Sequence, residues 1–226
     1  MIIDFHTHSL PVESANLALV NLELPLPEVG RDVEKYLFSA GIHPWQLLDL
    51  PPQELNHYLI ELEQAARLKN IDLIGECGLD RTIKLPLIEQ QAIFCAQIKL
   101  AEQYQLPLLV HCVRAYSELI AIVKTHAPTT PWIIHGFNGN VQQLTQCLKY
   151  ENLYFSFGPA LLKQPDKFIS LLRMVPRSHL LLETDDSAAN IVDIYRQAAK
   201  LLGCGYKELT MQMAKNGLAL ELIAKL

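Results

Sequence analysis

Six side chains able to hold a cation each stand where a short apolar run of this sequence ends: His6 and His8, Glu76, His111, His135 and Asp185. The runs are MIIDFHTH, IDLIGE, LPLLVH, PWIIH and HLLLETD. Imidazoles and carboxylates without thiolate suit a divalent cation, and zinc, magnesium, manganese, iron and nickel are all compatible with such a set. The chemistry on offer is metal-assisted hydrolysis. His6 and His8 are two apart on a strand-like run, so both rings project from one face. An HxH pair alone is a weak sign. Asp4 ahead of it, and ligand-type residues closing four later runs, favour convergence on one site. A carboxylate such as Glu76 at the end of a buried strand costs several kcal/mol in desolvation unless it is paired or coordinated. An ion pair with Arg81 or Arg114 would satisfy it, but with histidines nearby a bridge between two cations is the better reading. A lone histidine closing a strand is commonly a hydrogen-bonded core residue, whereas His111 and His135 on neighbouring units favour ligation. Asp185 can both ligate and accept a proton from an attacking water.

Convergence requires a frame that sends strand ends to one place. Strand-like runs fall near residues 2–5, 36–41, 71–76, 107–111, 132–135, 152–156 and 180–184. Amphipathic helices separate the later ones. Segment 53–68 places Leu55, Tyr58, Leu59, Leu62, Ala65 and Ala66 at helical spacing. Segment 86–104 does so with Ile88, Ala92, Phe94, Cys95, Ile98 and Ala101. Further helices fit 115–126, 140–149, 164–174, 189–202 and 206–225. This alternation predicts a parallel sheet, and in a TIM-type (β/α) barrel the C-terminal strand ends share one mouth. Residues 14–24 could supply a short eighth strand, but Pro25 and Pro27 follow closely and break any regular continuation. The expectation is a slightly irregular barrel of seven or eight strands, with residues 1–226 forming one domain.

The chain has 226 residues, half of them hydrophobic, which is ample for such a core. Its net charge of −5 argues against coating duplex nucleic acid electrostatically, though not against gripping one or two phosphates in a pocket. Five scattered cysteines without a CxxC pair read as reduced thiols. No signal-like segment opens the chain, and no apolar run approaches the roughly 20 residues that span a bilayer. The expectation is a cytoplasmic protein with no membrane contact and no obligate protein partner.

The stretches DFHTH, GIHPW, IGECGLD, Pro107–His111 followed by Arg114, IIHGFNG, YFSFGPA and LLETD, in this order, resemble the TatD family of metal-dependent hydrolases, known as deoxyribonucleases and related to amidohydrolases. Asn216 fits that family's terminal asparagine. The resemblance implies a TIM-type barrel with one cation held by His6, His8 and Asp185, a second by His111 and His135, and Glu76 bridging them. It also implies that His43 contacts substrate or phosphate. Two regions depart from the pattern: residues 10–35 are shortened, and DSAAN follows Asp185 in place of a proline-containing loop and a basic stretch.

Around these, Arg114 could hold a substrate phosphate through paired N–H donors. Asp80 and Glu183 suit the role of acceptors orienting histidines. Cys77 and Cys112 should turn to the core, and Trp45, Phe137 and Phe157 could wall a pocket or stack a base. The functional expectation is hydrolysis of a small phosphoester or of single-stranded nucleic acid with one or two divalent ions, Asp185 and Glu76 being catalytic. The alternative is an amide, ester or lactone hydrolase of the amidohydrolase kind, and a third reading is a non-enzymatic binding protein on the same scaffold.

Overall fold

The computed structural model describes residues 1–10, 17–27 and 36–222. Eight strands form one parallel sheet in sequence order: β1 (Ile3–Thr7), β2 (Leu17–Leu22), β3 (Tyr36–Ala40), β4 (Leu73–Asp80), β5 (Leu108–Val113), β6 (Trp132–Ile134), β7 (Leu153–Phe157) and β8 (Leu180–Leu182). The region expected to yield an eighth strand supplies β2, which pairs with both β1 and β3. Helix α1 (Pro52–Arg67) follows β3, α2 (Leu87–Tyr104) follows β4, and α3 (Tyr116–His126) follows β5. After β6 comes α4 (Val141–Cys147), and after β7 come α5 (Ala160–Lys163) and α6 (Pro165–Met174). Helices α7 (Ile191–Leu202) and α8 (Tyr206–Ala219) complete the chain, whose residues 223–226 lie outside the described set.

Strands β1, β4, β6 and β8 are buried along their whole length. A parallel sheet covered on both faces demands this, which is why these runs read as continuous apolar stretches. The core face of α2 differs from the expected one. Ile88 is 71% exposed, while Gln90 and Gln97 are buried beside Phe94, Ile98 and Ala101. The two glutamines occupy core positions because they serve backbone groups at the barrel mouth. The Gln97 amide accepts from the Ile42 amide at 2.7 Å and donates to the Ile42 carbonyl at 3.1 Å. Gln90 does the same for Asp80 at 2.7 and 2.9 Å.

The barrel nearly closes between β1 and β8, and the seam is made at the mouth. Thr7 and Asp185 form an isolated parallel bridge, with the Asp185 amide donating to the His6 carbonyl at 2.9 Å. Beneath it the Thr184 amide and hydroxyl donate to the Asp4 carboxylate at 3.0 and 2.6 Å. Asp4, prominent in the sequence as the start of DxHxH, thus latches the two strands together. Lower still, the buried Tyr195 hydroxyl of α7 donates to the Ile3 carbonyl at 2.8 Å and accepts the Ile3 amide at 3.3 Å. Side chains satisfy edge groups that strand pairing leaves open.

Strand β8 is only three residues long and leans on α8. There the buried Asn216 amide donates to the carbonyls of Arg177 and Leu180, both at 2.7 Å. Among the described residues no helix is long and apolar enough to cross a membrane. Replacing Asn216 with alanine strands those two carbonyls. The expected loss is about 2 kcal/mol, read in thermal denaturation as a Tm drop of roughly 4–8 °C for a chain of this size. An unchanged Tm would show that α8 does not hold β8.

Candidate metal centre

Glu76 lies at the centre of the mouth because β4 is bulged there. Ile74 pairs with Leu108 and Cys77 with Val110, so β4 advances three residues while β5 advances two. Glycine makes the bulge possible. Gly75 and Gly78 have φ of +130° and +147°, and a Cβ on them would meet the carbonyl oxygens of Leu109 and His111 at 2.3 and 2.0 Å. The Glu76 amide donates to Asn21 Oδ1 at 2.9 Å, and the Ser39 hydroxyl donates to the same oxygen at 3.0 Å.

The two Glu76 oxygens face different histidines. Oε2 lies 3.4 Å from His6 Nε2 and 3.3 Å from His8 Nε2, and Asp185 Oδ1 stands 3.4 and 3.7 Å from the same two nitrogens. Oε1 lies 2.7 Å from His135 Nε2, 2.9 Å from His111 Nδ1 and 3.3 Å from His43 Nε2. All six side chains that end apolar runs in the sequence therefore meet. Neither arginine offered as a partner for Glu76 takes part: Arg81 pairs with Glu118 and donates to the Arg114 carbonyl at 2.9 Å.

The first of these sets suits a cation better than a hydrogen-bond network. Two ligands about 2.1 Å from one ion at tetrahedral angles stand about 3.4 Å apart, the spacing seen among His6, His8, Glu76 and Asp185. Both ring nitrogens of the fully buried His6 lack a hydrogen-bond partner, an arrangement that is costly unless something else satisfies them. The residues present can hold a metal ion, and His6 with His8 and Asp185, and His6 with Glu76 and His135, both bring ligand atoms within 4.8 Å of one another.

Carboxylates stand behind two of the imidazoles. Asp80 Oδ2 is 3.3 Å from His111 Nε2, which leaves Nδ1 to face Glu76. Glu183 Oε1 is 3.6 Å from His135 Nδ1 and accepts the Gly136 amide at 2.5 Å. His43 differs from the other histidines. Its Nδ1 accepts the Trp45 amide at 3.2 Å, so its proton sits on Nε2 and points at Glu76 as a donor. Burial, against the pull of Glu76, holds the His43 pKa below its usual value, so the ring is neutral at physiological pH.

Charge is strongly partitioned. Burial would raise the Glu76 carboxyl, but the His135 charge and hydrogen bonds from His111, His135 and His43 hold it well below its ordinary pKa. Burial would likewise depress His6, yet Asp185 and Glu76 lift it to about 9. His111 and His135 are also raised, against their burial, by Asp80 and Glu76 for the first and by Glu76 and Glu183 for the second.

A family model described as TatD related DNase matches residues 26–220. The chain belongs to that family. Among its relatives, the chain is 31% identical over 159 residues to "Uncharacterized metal-dependent hydrolase YabD" of Bacillus subtilis, covering 68% of this chain and 60% of the other. It is 33% identical over 153 residues to "3′-5′ ssDNA/RNA exonuclease TatD" of Pantoea ananatis, with coverage of 65% and 56%. "Deoxyribonuclease Tat-D" of Schizosaccharomyces pombe is 30% identical over 171 residues, with coverage of 70% and 53%. The chain spans less than two thirds of the length of these curated relatives. The crystal structure of YjjV, the TatD homologue of Escherichia coli, shares the fold with a TM-score of 0.80 at 21% identity over 97% of both chains.

In this TatD-family chain the metal cluster forms the floor of a cavity of about 370 Å³, whose walls include Asn21, Glu23, His43, Trp45, Gln46 and Asp186. Arg114 is not among the lining residues; it is exposed beyond β5 with a left-handed φ of +52°. Phe137 and Phe157 are buried and line a neighbouring cavity of about 270 Å³ beyond Asp185. Cys77 and Cys112 face the core as alternation requires. Sequence reasoning missed Asn21, Gln90 and Gln97, which hold the backbone at Glu76, Asp80 and Ile42. The glutamines carried a usable signal, being polar and seven apart on the inward face of an amphipathic helix. Asn21, in a short run that two prolines follow, carried none.

Two outcomes are expected. Cation binding needs neutral imidazoles, whereas His6 in the folded chain keeps its proton up to about pH 9. Binding at pH 7 must therefore expel protons, and affinity should rise with pH until that point. Calorimetric titration of metal-free protein in buffers of different ionisation enthalpy measures this, and identical heats in all buffers would contradict it. Asn21→Ala, which frees the Glu76 amide, should weaken metal affinity by about 10–100-fold in competition with a chelating dye, without loss of fold by circular dichroism.

Proposed function

We propose that this chain is a metal-dependent phosphodiesterase acting on DNA or another single-stranded nucleic acid, with Glu76 set between two divalent cations. The observation that carries the reading is the division of the Glu76 carboxylate, one oxygen towards His6 and His8 and the other towards His111 and His135. Membership of the TatD related DNase family supports it, as do the nuclease names of two relatives. His6, His8 and Asp185 would hold one cation and His111 and His135 the other; when bound, such ions make water acidic enough to ionise near neutral pH and offset charge on a phosphoryl group.

The chain's own groups do the rest. Asp185 is the ligand most open to the cavity, with a side chain 38% exposed. Burial would raise its pKa, but the His6 imidazole 3.4 Å away and the charge of His135 hold it well below the usual carboxylate range. It is therefore ionised at neutral pH and able to take a proton from the attacking water. His43, neutral and carrying its proton on Nε2, offers a donor to a substrate oxygen at the cavity wall. Asp80 would keep His111 in the tautomer that faces Glu76, and Glu183 stands 3.6 Å behind His135 to take its rear proton.

The test is turnover on end-labelled single-stranded oligonucleotides with each metal added back in turn, beside amide and lactone panels. Asp185→Asn should cost about 10²–10⁴-fold in kcat, and Glu76→Ala at least as much. Turnover of the amide or lactone panel in place of phosphodiesters, or equal rates in wild type and both variants, would discard the proposal.

A further inference from the structure

The cavity above the metal cluster poses an electrostatic problem for any nucleic acid. Among the described residues its lining contains Glu23, Glu76, Asp185 and Asp186 but neither lysine nor arginine, and the chain as a whole carries a net charge of −5. Cations at the cluster can offset the scissile phosphate, but no described residue of this wall offers a positive charge to the rest of a polyanion. A contact that is not ionic would supply affinity there.

One wall residue supplies such a contact. Trp45 is 58% exposed, and among the described residues it is the one aromatic side chain left exposed. Exposed aromatics usually lose rotamer order, but this one is pinned. Its indole N–H donates to Asp80 Oδ2 at 2.7 Å, a charge-assisted bond to a carboxylate that is itself 1% exposed. The backbone amide of Trp45 is fixed on His43 Nδ1 at 3.2 Å. The ring meets His43 and His111 at steep angles, 86° and 73°, with centroids 5.2 and 6.4 Å away, and stacks flat on neither. A rigid indole beside two metal-site histidines, with over half of its surface open, has the form of a stacking platform. Every base offers a π-face, so such a platform is tolerant of sequence but requires an unpaired base.

We infer that Trp45 is a nucleobase-binding platform that seats an unpaired base next to the scissile phosphate and makes the enzyme selective for single strands. The inference rests on the phosphodiesterase reading and adds the subsite that such a substrate would use. Asp80 then has two duties through one oxygen: it orients His111 from behind and fixes the plane on which the base lies.

The test pairs kinetics with the chain's own fluorophores. On a single-stranded oligonucleotide, Trp45→Ala should raise KM about tenfold while kcat changes by less than about twofold. Trp45→Phe keeps an aromatic face and should recover most of the loss. The difference between wild type and Trp45→Ala should vanish on an oligonucleotide whose base next to the cleaved bond is replaced by an abasic tetrahydrofuran unit. Wild-type KM should respond weakly to salt between about 50 and 200 mM, a range over which binding by several phosphate contacts weakens by about a thousandfold or more. The chain has two tryptophans, and Trp132 is fully buried. Quenching of the red-side emission by the oligonucleotide, with cleavage suppressed by Asp185→Asn, therefore reports stacking on Trp45 directly. An equal KM for wild type and Trp45→Ala, an equal loss with and without the base, or a steep salt dependence would overturn the inference while leaving hydrolysis intact. Quenching without cleavage of any phosphodiester would sustain the platform and sink the phosphodiesterase reading.

Discussion

A carboxylate removed from water has to be satisfied on both oxygens, and Glu76, 4% exposed, meets that demand with five imidazoles. Most of the mouth can be understood from this one constraint. Its position depends on a three-for-two bulge in β4 that two glycines at positive φ permit. Its backbone depends on Asn21, whose side-chain oxygen also ties β2 to β3 through Ser39. The histidines arrive from β1, the β3 loop, β5 and β6, so no single segment could build the site. Only a closed sheet brings those strand ends within 4 Å of one carboxylate.

Closure is therefore a functional matter. The β1–β8 seam is narrow, and it is made by the residues that sit beside or within the metal cluster. The Asp185 amide bonds the His6 carbonyl, so the backbone contact that closes the barrel also sets the distance between two candidate ligands. Asp4 contributes through Thr184 at a price: burial lifts its carboxyl to about 6 in spite of those hydrogen bonds. A buried acid retained at that position is consistent with a latch, since an apolar pair would hold the strands without directing the Thr184 backbone.

Much of this was legible in the sequence. Apolar runs ending in His, Glu or Asp fix both the strands and the direction in which they point, because the ligands must lie at one end of a parallel sheet. The five strands so located are present, as are the two other apolar runs at 36–41 and 152–156, and the six ligand-type residues meet. What the sequence did not reveal has a common physical form: side chains that act on backbone rather than on other side chains. Asn21, Gln90 and Gln97 satisfy amides and carbonyls whose exposure depends on a bulge and on loop paths that no residue pattern encodes. For the same reason the inward face of α2 was misjudged, its core positions being occupied by glutamines rather than Ile88 and Ala92. Arg114 is placed differently from the six ligand-type residues. Its place just after a ligand strand suggested a phosphate contact, but the chain turns there through a left-handed conformation and the residue is exposed outside the cavity lining.

The hydrogen-bond directions separate histidines that look alike in sequence. Behind the rings of His111 and His135 stand carboxylates, 3.3 Å from His111 Nε2 and 3.6 Å from His135 Nδ1, placed to take the rear proton when a forward nitrogen meets a cation. His43 has a backbone N–H behind its ring, which reverses the polarity and leaves a forward proton. The same Glu76 oxygen therefore faces two imidazoles with a carboxylate behind them and one with a backbone N–H behind it. A polar contact on the far side of the ring, rather than position in the chain, thus distinguishes one imidazole from the rest, and the one set apart sits next to the exposed indole of Trp45.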